Sequence, residues 1–266
     1  MSHFRRVFVR ARGDDAEPLR ARLLELVPAG LEERPLDGGG VELSAYVPTD
    51  AVERLLTEFP DAAVEDVPDG WEDAWHAFHH PVEAGGLWIG PPWETPPEGA
   101  RSVVIDPGRA FGTGAHPTTR LCVELLGAEE RRGSVLDVGC GSGVLSIAAA
   151  RLGFGPVTAL DNDAVAVETT RANANANGVT VVATTADALA DPLPTVDLAV
   201  ANVLLAPVEA ILHRLEAPRA ITSGYSGTER PRAPLWTSVA RRELDGWAAD
   251  LLVRERPADR SADSTV

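Results

Sequence analysis

Residues 134–145 read Ser-Val-Leu-Asp-Val-Gly-Cys-Gly-Ser-Gly-Val-Leu, and the fold class follows from these twelve residues. An apolar strand runs into a glycine-rich turn, and a helical pattern over 145–152 comes directly behind it. Gly139, Gly141 and Gly143 permit positive φ angles and allow a ligand to approach the backbone closely. The N–H groups at the start of the helix attract an anionic group. The pattern predicts a ligand-binding turn at the end of a strand.

The spacing of the glycines indicates which ligand binds there. They fall as G-x-G-x-G, and Val144 occupies the position that a dinucleotide fingerprint, G-x-G-x-x-G, fills with glycine. Asp137 lies two positions before Gly139 and suits a ligand with an ammonium group and no pyrophosphate. The methionine half of S-adenosyl-L-methionine has this character. We therefore predict an S-adenosylmethionine site built from Asp137, Gly139, Gly141 and Gly143.

Two further acids follow strands in the order that this site requires. The run 157–160 ends in Asp161, and an acid at the tip of the second strand can accept hydrogen bonds from both ribose hydroxyls. Asp187 closes the run 181–186 and is placed to reach the adenine edge. Each acid alone is compatible with an ordinary surface position, but their order behind the glycine turn favours a cofactor site. Short strands alternating with helical patterns from about residue 100 predict an α/β, doubly wound, Rossmann-like sheet.

The fourth strand, 196–202, ends in a residue suited to hold an amine. Ligands of open parallel sheets lie beyond the carboxyl ends of the strands, so we expect Asn202 beside the donor methyl. Its carbonyl can accept a hydrogen bond from an amine N–H and orient the nitrogen lone pair. Val203 and Leu204 follow, where many amine and amide methyltransferases have Asn-Pro-Pro-Tyr. This difference disfavours a DNA-adenine or glutamine-amide methyltransferase.

The N-terminal region predicts a separate small α+β domain. A strand over 4–10, a helix over 15–27, a strand over 41–47, a short helix carrying Val52 and a strand within 61–67 fit the β-α-β-β-α-β pattern of ferredoxin-like domains. It has no obvious catalytic residue, so we assign it to substrate recognition. We divide the chain into a recognition domain (1–68), a linker helix with a Pro-rich connector (69–97), a methyltransferase domain (98–256) and a disordered tail (257–266).

Composition restricts the partners. The formal net charge is −16, which argues against direct nucleic-acid binding and favours a basic partner, although a generic acidic surface fits equally well. All 24 basic residues are arginine, so a lysine-modifying enzyme would have no lysine of its own to modify. No apolar run approaches the roughly 20 residues that span a bilayer, and no signal core follows the N-terminus. We expect a cytoplasmic monomer that does not bind membranes.

Metal binding is not expected. Cys122 and Cys140 are too few for a zinc site or a disulfide framework, and both are expected to be reduced. His76, His79 and His80 have the i, i+3, i+4 spacing of a metal cluster, but no further ligand lies nearby in the sequence. A solvated helix face is the favoured interpretation.

At this point the chain resembles the bacterial ribosomal protein L11 methyltransferases. Residues 106–119, Asp-Pro-Gly-Arg-Ala-Phe-Gly-Thr-Gly-Ala-His-Pro-Thr-Thr, are close to a family signature. The segments 136–143 and 201–204 follow in the expected order, and Trp71-x-x-x-Trp75 upstream is similar to the family's linker. The resemblance covers essentially 1–255. It implies a ferredoxin-like N-terminal domain, a linker helix and a class I methyltransferase domain.

The resemblance also implies roles for individual residues. The cofactor contacts would be Thr119, Gly139, Asp161 and Asn202. Phe111 and the glycine loop that contains Thr113 would shield the cofactor and guide the amine. His116 ends that loop and is interpreted either as a catalytic residue or as a packing residue. The substrate would be a basic protein, ribosomal protein L11, modified on lysine or N-terminal amines with S-adenosylhomocysteine as the second product.

Two other functions remain open. The protein could methylate a different protein or a small amine, because its N-terminal domain matches the family by pattern more than by residue. The segment 222–227, Thr-Ser-Gly-Tyr-Ser-Gly, and the Pro- and Arg-rich segment 229–234 also depart from the family. A non-catalytic S-adenosylmethionine-binding module is the third interpretation. Asn202 and the loop before Thr119 argue against it, because a module without turnover has no need of acceptor geometry.

Overall fold

The computed structural model describes residues 4–12, 15–27, 31–36, 39–67, 80–106 and 114–255. The chain divides into two compact units, Met1–Phe78 and His79–Val266. The predicted connector, 69–97, is therefore divided: from residue 80 onward it belongs to the second unit, and 69–79 lie outside the described residues together with the predicted linker helix. The predicted tail, 257–266, also lies outside them. The remaining domain boundaries stay a proposal.

The first unit is a four-stranded antiparallel sheet with two helices. Its elements are β1 (Phe4–Arg12), α1 (Ala16–Leu26), β2 (Glu32–Leu36), β3 (Gly40–Pro48), a 3₁₀ turn (Thr49–Ala51), α2 (Val52–Glu58) and β4 (Ala63–Asp66). The strand order is β2-β3-β1-β4, with every pair antiparallel. Alternate strand residues such as Val7, Val9 and Leu43 pack against Leu55 of α2 and form its core. The order of elements is the predicted β-α-β-β-α-β pattern.

The other face of this sheet carries a charged cluster around Glu42, which we call the Glu42 cluster. The Glu42 side chain is 0% exposed, although it is a carboxylate. It accepts hydrogen bonds from Arg6 (2.6 Å) and Arg10 (2.8 Å) of β1 and from Arg34 (2.6 Å) of β2. Burial alone would raise the pKa of Glu42, but the hydrogen bonds from Arg10 and Arg6 lower it on balance. The three guanidinium groups therefore keep a buried acid ionised.

The second unit is built around a seven-stranded sheet. Its elements are β5 (Val82–Ala84), β6 (Leu87–Gly90), β7 (Ser102–Val104), α3 (Pro117–Ala128), β8 (Val135–Val138), α4 (Val144–Arg151), β9 (Val157–Asp161), α5 (Ala164–Ala176), β10 (Val182–Thr185), β11 (Leu198–Asn202), α6 (Leu205–Arg214), β12 (Arg219–Ser226), β13 (Trp236–Leu244) and β14 (Trp247–Arg254). The large sheet has the order β10-β9-β8-β11-β12-β14-β13. Its first five strands are parallel, which confirms the predicted doubly wound sheet, and β13 and β14 form an antiparallel hairpin at one edge.

Helices cover both faces of the large sheet. One hydrophobic cluster joins α3 and α4 to Val135, Val200 and Ile221, and the opposite cluster joins α6 to Leu136 and Ala199. Neighbouring residues of one strand point to opposite faces, so this division identifies the face of every residue in β8 and β11, and of the residues of β12 up to Ser223, after which its pairing with β14 shifts register.

The predicted Pro-rich connector contains two strands in the part that the structure describes. The residues Leu87, Trp88 and Ile89 are buried in β6, which pairs with β5 on one side and β7 on the other. Gly85 and Gly86 make the intervening turn, with φ angles of +55° and +77°. The prediction gave weight to the prolines around this segment and overlooked a short apolar run next to a glycine turn.

The described residues include no helix long and apolar enough to cross a membrane. Within the same ranges, no three potential metal ligands come together. His76 and His79 of the histidine series lie outside those ranges.

Candidate active site

The glycine turn between β8 and α4 has the geometry that its sequence predicts. Gly139, Gly141 and Gly143 have φ angles of +73°, +52° and +81°. Space is limited as well: a Cβ on Gly139 would lie 2.6 Å from Val203 Cγ1, and one on Gly143 would lie 2.9 Å from a Thr170 methyl. Glycine is therefore required at both positions by the backbone angle and by the neighbouring side chains.

Asp161 lies at the tip of β9 and is hydrogen-bonded to this turn. Its Oδ2 accepts from the Gly141 N–H at 2.9 Å, and its Oδ1 accepts from the Asp163 N–H at 3.0 Å. The side chain is only partly buried. Since each carboxylate oxygen can accept more than one hydrogen bond, the acid can fix the turn and still receive hydroxyl donors.

Asp137 is buried beneath the turn, with 1% of its surface exposed. Its Oδ2 accepts from the Ser146 N–H (3.0 Å) and hydroxyl (2.6 Å). Its Oδ1 is buried and has no hydrogen-bond partner among the described residues. Burial raises the pKa of Asp137 to about 6, an effect that the Ser146 hydrogen bonds reduce. A buried oxygen without a donor is costly, so a cationic or N–H group from a ligand fits this position.

Both cysteines lie close to Asp137 and are buried. Burial, together with the charge of Asp137, raises the pKa of the Cys122 and Cys140 thiols. Neither thiol is a nucleophile at neutral pH, because the thiolate is the reactive form.

Asn202 ends β11 and contacts the first turn of α3. Its Nδ2 donates to Thr119 Oγ1 at 3.4 Å, a long hydrogen bond, while Thr119 is 1% exposed. The Asn202 carbonyl oxygen accepts no hydrogen bond from the described residues and lies at the carboxyl edge of the sheet. The structure therefore brings the predicted Asn202 and Thr119 together, and leaves the acceptor atom of Asn202 available to a ligand.

His116 is the N-cap of α3. Its Nδ1 accepts from the Thr118 N–H at 3.3 Å and lies 2.8 Å from the Thr118 hydroxyl. Burial lowers the pKa of His116, so the imidazole is neutral at physiological pH. Its ring also meets the Trp247 ring edge-on, at 5.0 Å between centroids. The histidine therefore has a packing and capping role, and its catalytic role stays a prediction.

Asp187 forms a turn of its own. Its Oδ1 accepts from the Leu189 N–H at 2.8 Å, and its N–H donates to Asp191 at 2.9 Å. The preceding Ala186 N–H donates to the Asp161 backbone oxygen at 2.9 Å, so Asp187 lies near the tip of β9. The side chain is exposed, and its contact with adenine stays a prediction. Phe111 and Thr113 lie outside the described residues.

Val203 connects Asn202 to the glycine turn through a contact that the sequence alone did not reveal. Gly224, at the end of β12, has a φ of +100°, and a Cβ there would lie 2.6 Å from the Val203 carbonyl carbon. Val203 therefore lies between Gly139 on one side and Gly224 on the other. Because neither glycine has a side chain, Val203 can approach both the glycine turn and β12 closely. Gly224 belongs to the segment 222–227 and lies inside β12, where the pairing with β14 shifts register, so no local sequence pattern marked it.

The strand order, the glycine turn after β8 and the acids at two strand tips define a class I methyltransferase. Dinucleotide-binding sheets have the order 3-2-1-4-5-6, whereas here an antiparallel strand, β14, lies between the fifth parallel strand and the edge. The chain matches the family model for ribosomal protein L11 methyltransferase (PrmA) over residues 44–227. It belongs to this family.

Individual relatives agree. The chain is 47% identical over 163 residues to a ribosomal protein L11 methyltransferase of Dechloromonas aromatica, an alignment that covers 59% of this chain and 53% of that protein. It is 40% identical over 219 residues to one of an Exiguobacterium species, covering 72% of this chain and 70% of that protein. A crystal structure of a ribosomal protein L11 methylase from Lactobacillus delbrueckii subsp. bulgaricus has a TM-score of 0.60 at 28% identity. It covers 66% of this chain and all of that chain.

Proposed function

We propose that this protein transfers methyl groups from S-adenosylmethionine to amino groups of ribosomal protein L11, on lysine side chains, the N-terminal amine or both. The observation that carries the proposal is the position of Asn202, whose carbonyl oxygen is available beside a glycine turn with an unsatisfied acid. The relatives named above, which are L11 methyltransferases, support the choice of substrate.

The cofactor would be held by residues of the glycine turn and the strand tips. The unpartnered Oδ1 of Asp137 suits its ammonium group, and Asp161 suits its ribose hydroxyls. Gly139, Gly141 and Gly143 leave the backbone accessible, and Asp187 would meet the adenine edge. When bound, S-adenosylmethionine supplies an electrophilic methyl group on a cationic sulfonium.

The chain's own residues position the acceptor and lower the cost of deprotonating it. A lysine amine has a pKa of about 10.4 in water and must lose a proton before it attacks. The Asn202 carbonyl would accept one amine N–H and direct the lone pair toward the methyl group, with the amide held by Thr119. Because the imidazole of His116 is neutral, it adds no second cation that would repel the amine. Phe111 and Thr113 would complete this side of the site.

The acidic chain and its two units agree with a basic protein partner. A net charge of −16 provides an attractive field for a basic protein and repels nucleic-acid phosphates. The first unit, which contains none of the residues of the candidate site, would bind the substrate protein. A cytoplasmic monomer that does not bind membranes is part of the same proposal.

Intact-mass spectrometry of purified ribosomal protein L11 tests this function. L11 is incubated with the protein and S-adenosylmethionine, and mass added in steps of one methyl group is the expected result. Asn202→Ala should leave L11 unmodified, whereas the matched control Asn175→Ala, at an exposed position of α5, should act as the wild type does. An unmodified L11 with cofactor binding intact would mean that another protein or a small amine is the acceptor. A failure to bind S-adenosylmethionine would overturn the cofactor assignment.

A further inference from the structure

The hairpin of β13 and β14 places a tryptophan at the same edge of the sheet as Asn202. Asp245 and Gly246 join the two strands with φ angles of +49° and +80°, the positive pair typical of a two-residue hairpin turn. Trp247 is the first residue of β14 and pairs with Ser226, the last residue of β12. Since β12 is parallel to β11, this turn lies at the carboxyl edge, where Asn202 ends its strand.

Trp247 and Asn202 also point to the same face of the sheet. Ala249 and Leu251 belong to the hydrophobic cluster on the α3 face. Trp247, two residues before Ala249, packs against the same cluster. Val200 belongs to the same cluster, and Asn202 follows it by two residues. Side chains alternate along a strand, so both residues project toward α3. Two strand spacings, roughly 10 Å, separate them across the sheet, and Trp247 lies further toward the carboxyl edge, opposite Ser226 of β12, whereas Asn202 lies opposite Ser223.

The first turn of α3 connects the two residues. Thr119 accepts the hydrogen bond from Asn202, and His116, the N-cap of the same helix, packs edge-on against Trp247. At the start of a helix, the N-cap residue and the residue three positions later are neighbours. Asn202, Thr119, His116 and Trp247 therefore form a continuous row, which we call the α3 row. Its tryptophan is only partly buried.

We propose that the indole of Trp247, which packs against His116, contacts the alkylammonium side chain of the acceptor as that side chain reaches Asn202. We call this indole surface the wall of the α3 row. This inference rests on the proposed function, because it concerns the same site. An indole face attracts alkylammonium cations and their methylated forms, and its carbon surface packs against methylene groups. Methylation preserves the positive charge of the side chain, so the same wall holds the partly methylated amine for further rounds.

Kinetics of Trp247 variants test the wall. In Trp247→Leu, the KM for L11 should rise at least about tenfold while kcat falls less than about threefold, and monomethylated product should accumulate. Trp247→Phe should be intermediate. The matched control is Trp236→Phe, because Trp236 lies on the same hairpin but packs against the opposite cluster, where its indole N–H donates to the Leu212 oxygen at 2.9 Å. It should have wild-type kinetics and product distribution, and all variants should bind S-adenosylmethionine alike.

A second measurement does not depend on the identity of the substrate. The protein is labelled with 5-fluorotryptophan, the Trp247 fluorine resonance is assigned by its absence in Trp247→Phe, and butyltrimethylammonium is added. The Trp247 resonance should move and the Trp236 resonance should not. If wild-type protein leaves L11 unmodified while the Trp247 resonance responds, the choice of substrate fails and the wall stands. If that resonance does not respond and Trp247→Leu behaves as Trp236→Phe does, the inference is overturned.

Discussion

Replacing Gly224 with alanine tests whether the contact with Val203 positions Asn202 for catalysis. A Cβ at this residue would lie 2.6 Å from the Val203 carbonyl carbon and 3.0 Å from its nitrogen, both of which are backbone atoms. Because ordinary carbon–carbon contacts are about 3.5–4.0 Å, the segment must move by about 1 Å. Val203 is bonded to Asn202, so the acceptor side chain moves with it.

The displacement gives the expected size of the effect. A misplacement of about 1 Å at a reacting centre costs about 100-fold in rate, so we expect kcat of Gly224→Ala to fall by about that factor. Overpacking should also destabilise the fold by roughly 1–3 kcal/mol. Gly153→Ala is the matched control, since Gly153 has a φ of +90° and open space around the built Cβ. It carries the same kind of backbone strain, about 1–3 kcal/mol, and should retain its rate.

The assay is the initial rate of methyl transfer at saturating substrates, with urea unfolding and calorimetric cofactor titration on both variants. Gly224→Ala should bind the cofactor within about tenfold of the wild type, because its direct neighbour is Val203. If it turns over as fast as Gly153→Ala while folded, the contact between Gly224 and Val203 does not position Asn202, and the argument built on it is refuted.

Asn202→Ala should reduce turnover by about 100-fold or more and leave cofactor affinity, measured by calorimetry, within a few-fold; collapsed affinity would instead make Asn202 a cofactor ligand. Asp161→Ala should weaken cofactor binding by roughly 1–3 kcal/mol in the same titration, because a charged acceptor is lost, and unchanged binding would contradict its assignment to the ribose. Asp137→Asn tests the buried acid. Because burial raises its pKa from 3.8 to about 6, the folded state binds this proton more tightly than the unfolded chain, so ionisation of Asp137 lowers stability as the pH rises from about 4 to 6. Cofactor-free Asp137→Asn should therefore be more stable than the wild type at pH 8, by at most about 3 kcal/mol, with the advantage vanishing near pH 4 in urea unfolding. An equal or lower stability at pH 8 would mean that another group satisfies Asp137.

The sequence predicted the parts of the fold whose signal is local. The glycine turn at 139–143, the acid at 161 and the parallel strands around them combine apolar runs, glycines and acids at short range, and each lies where predicted. Strand β2 gave no such signal, because Glu32, Glu33 and Arg34 form a charged run that pairs with β3 only in the folded sheet.

The same limit applies to the candidate site. Thr119 and Asn202 are 83 residues apart in the chain, and the family resemblance, more than spacing, linked them. Trp247 and Gly224 had no local pattern that indicated a site. Their relevance depends on the antiparallel hairpin and on the approach of Val203, which are properties of the folded sheet.

The Glu42 cluster restricts which residues on this face of the sheet can be substituted during evolution. Three arginines from two strands share one acid, so the loss of any single arginine leaves two others to neutralise it. Loss of Glu42 itself would leave three cations crowded together with no buried counter-ion. Arginine positions on this face are therefore free to mutate one at a time, whereas Glu42 can only be replaced together with its neighbours. Among homologues, we expect the acid to be retained where the individual arginines are not, even across lineages whose substrate-binding residues have diverged.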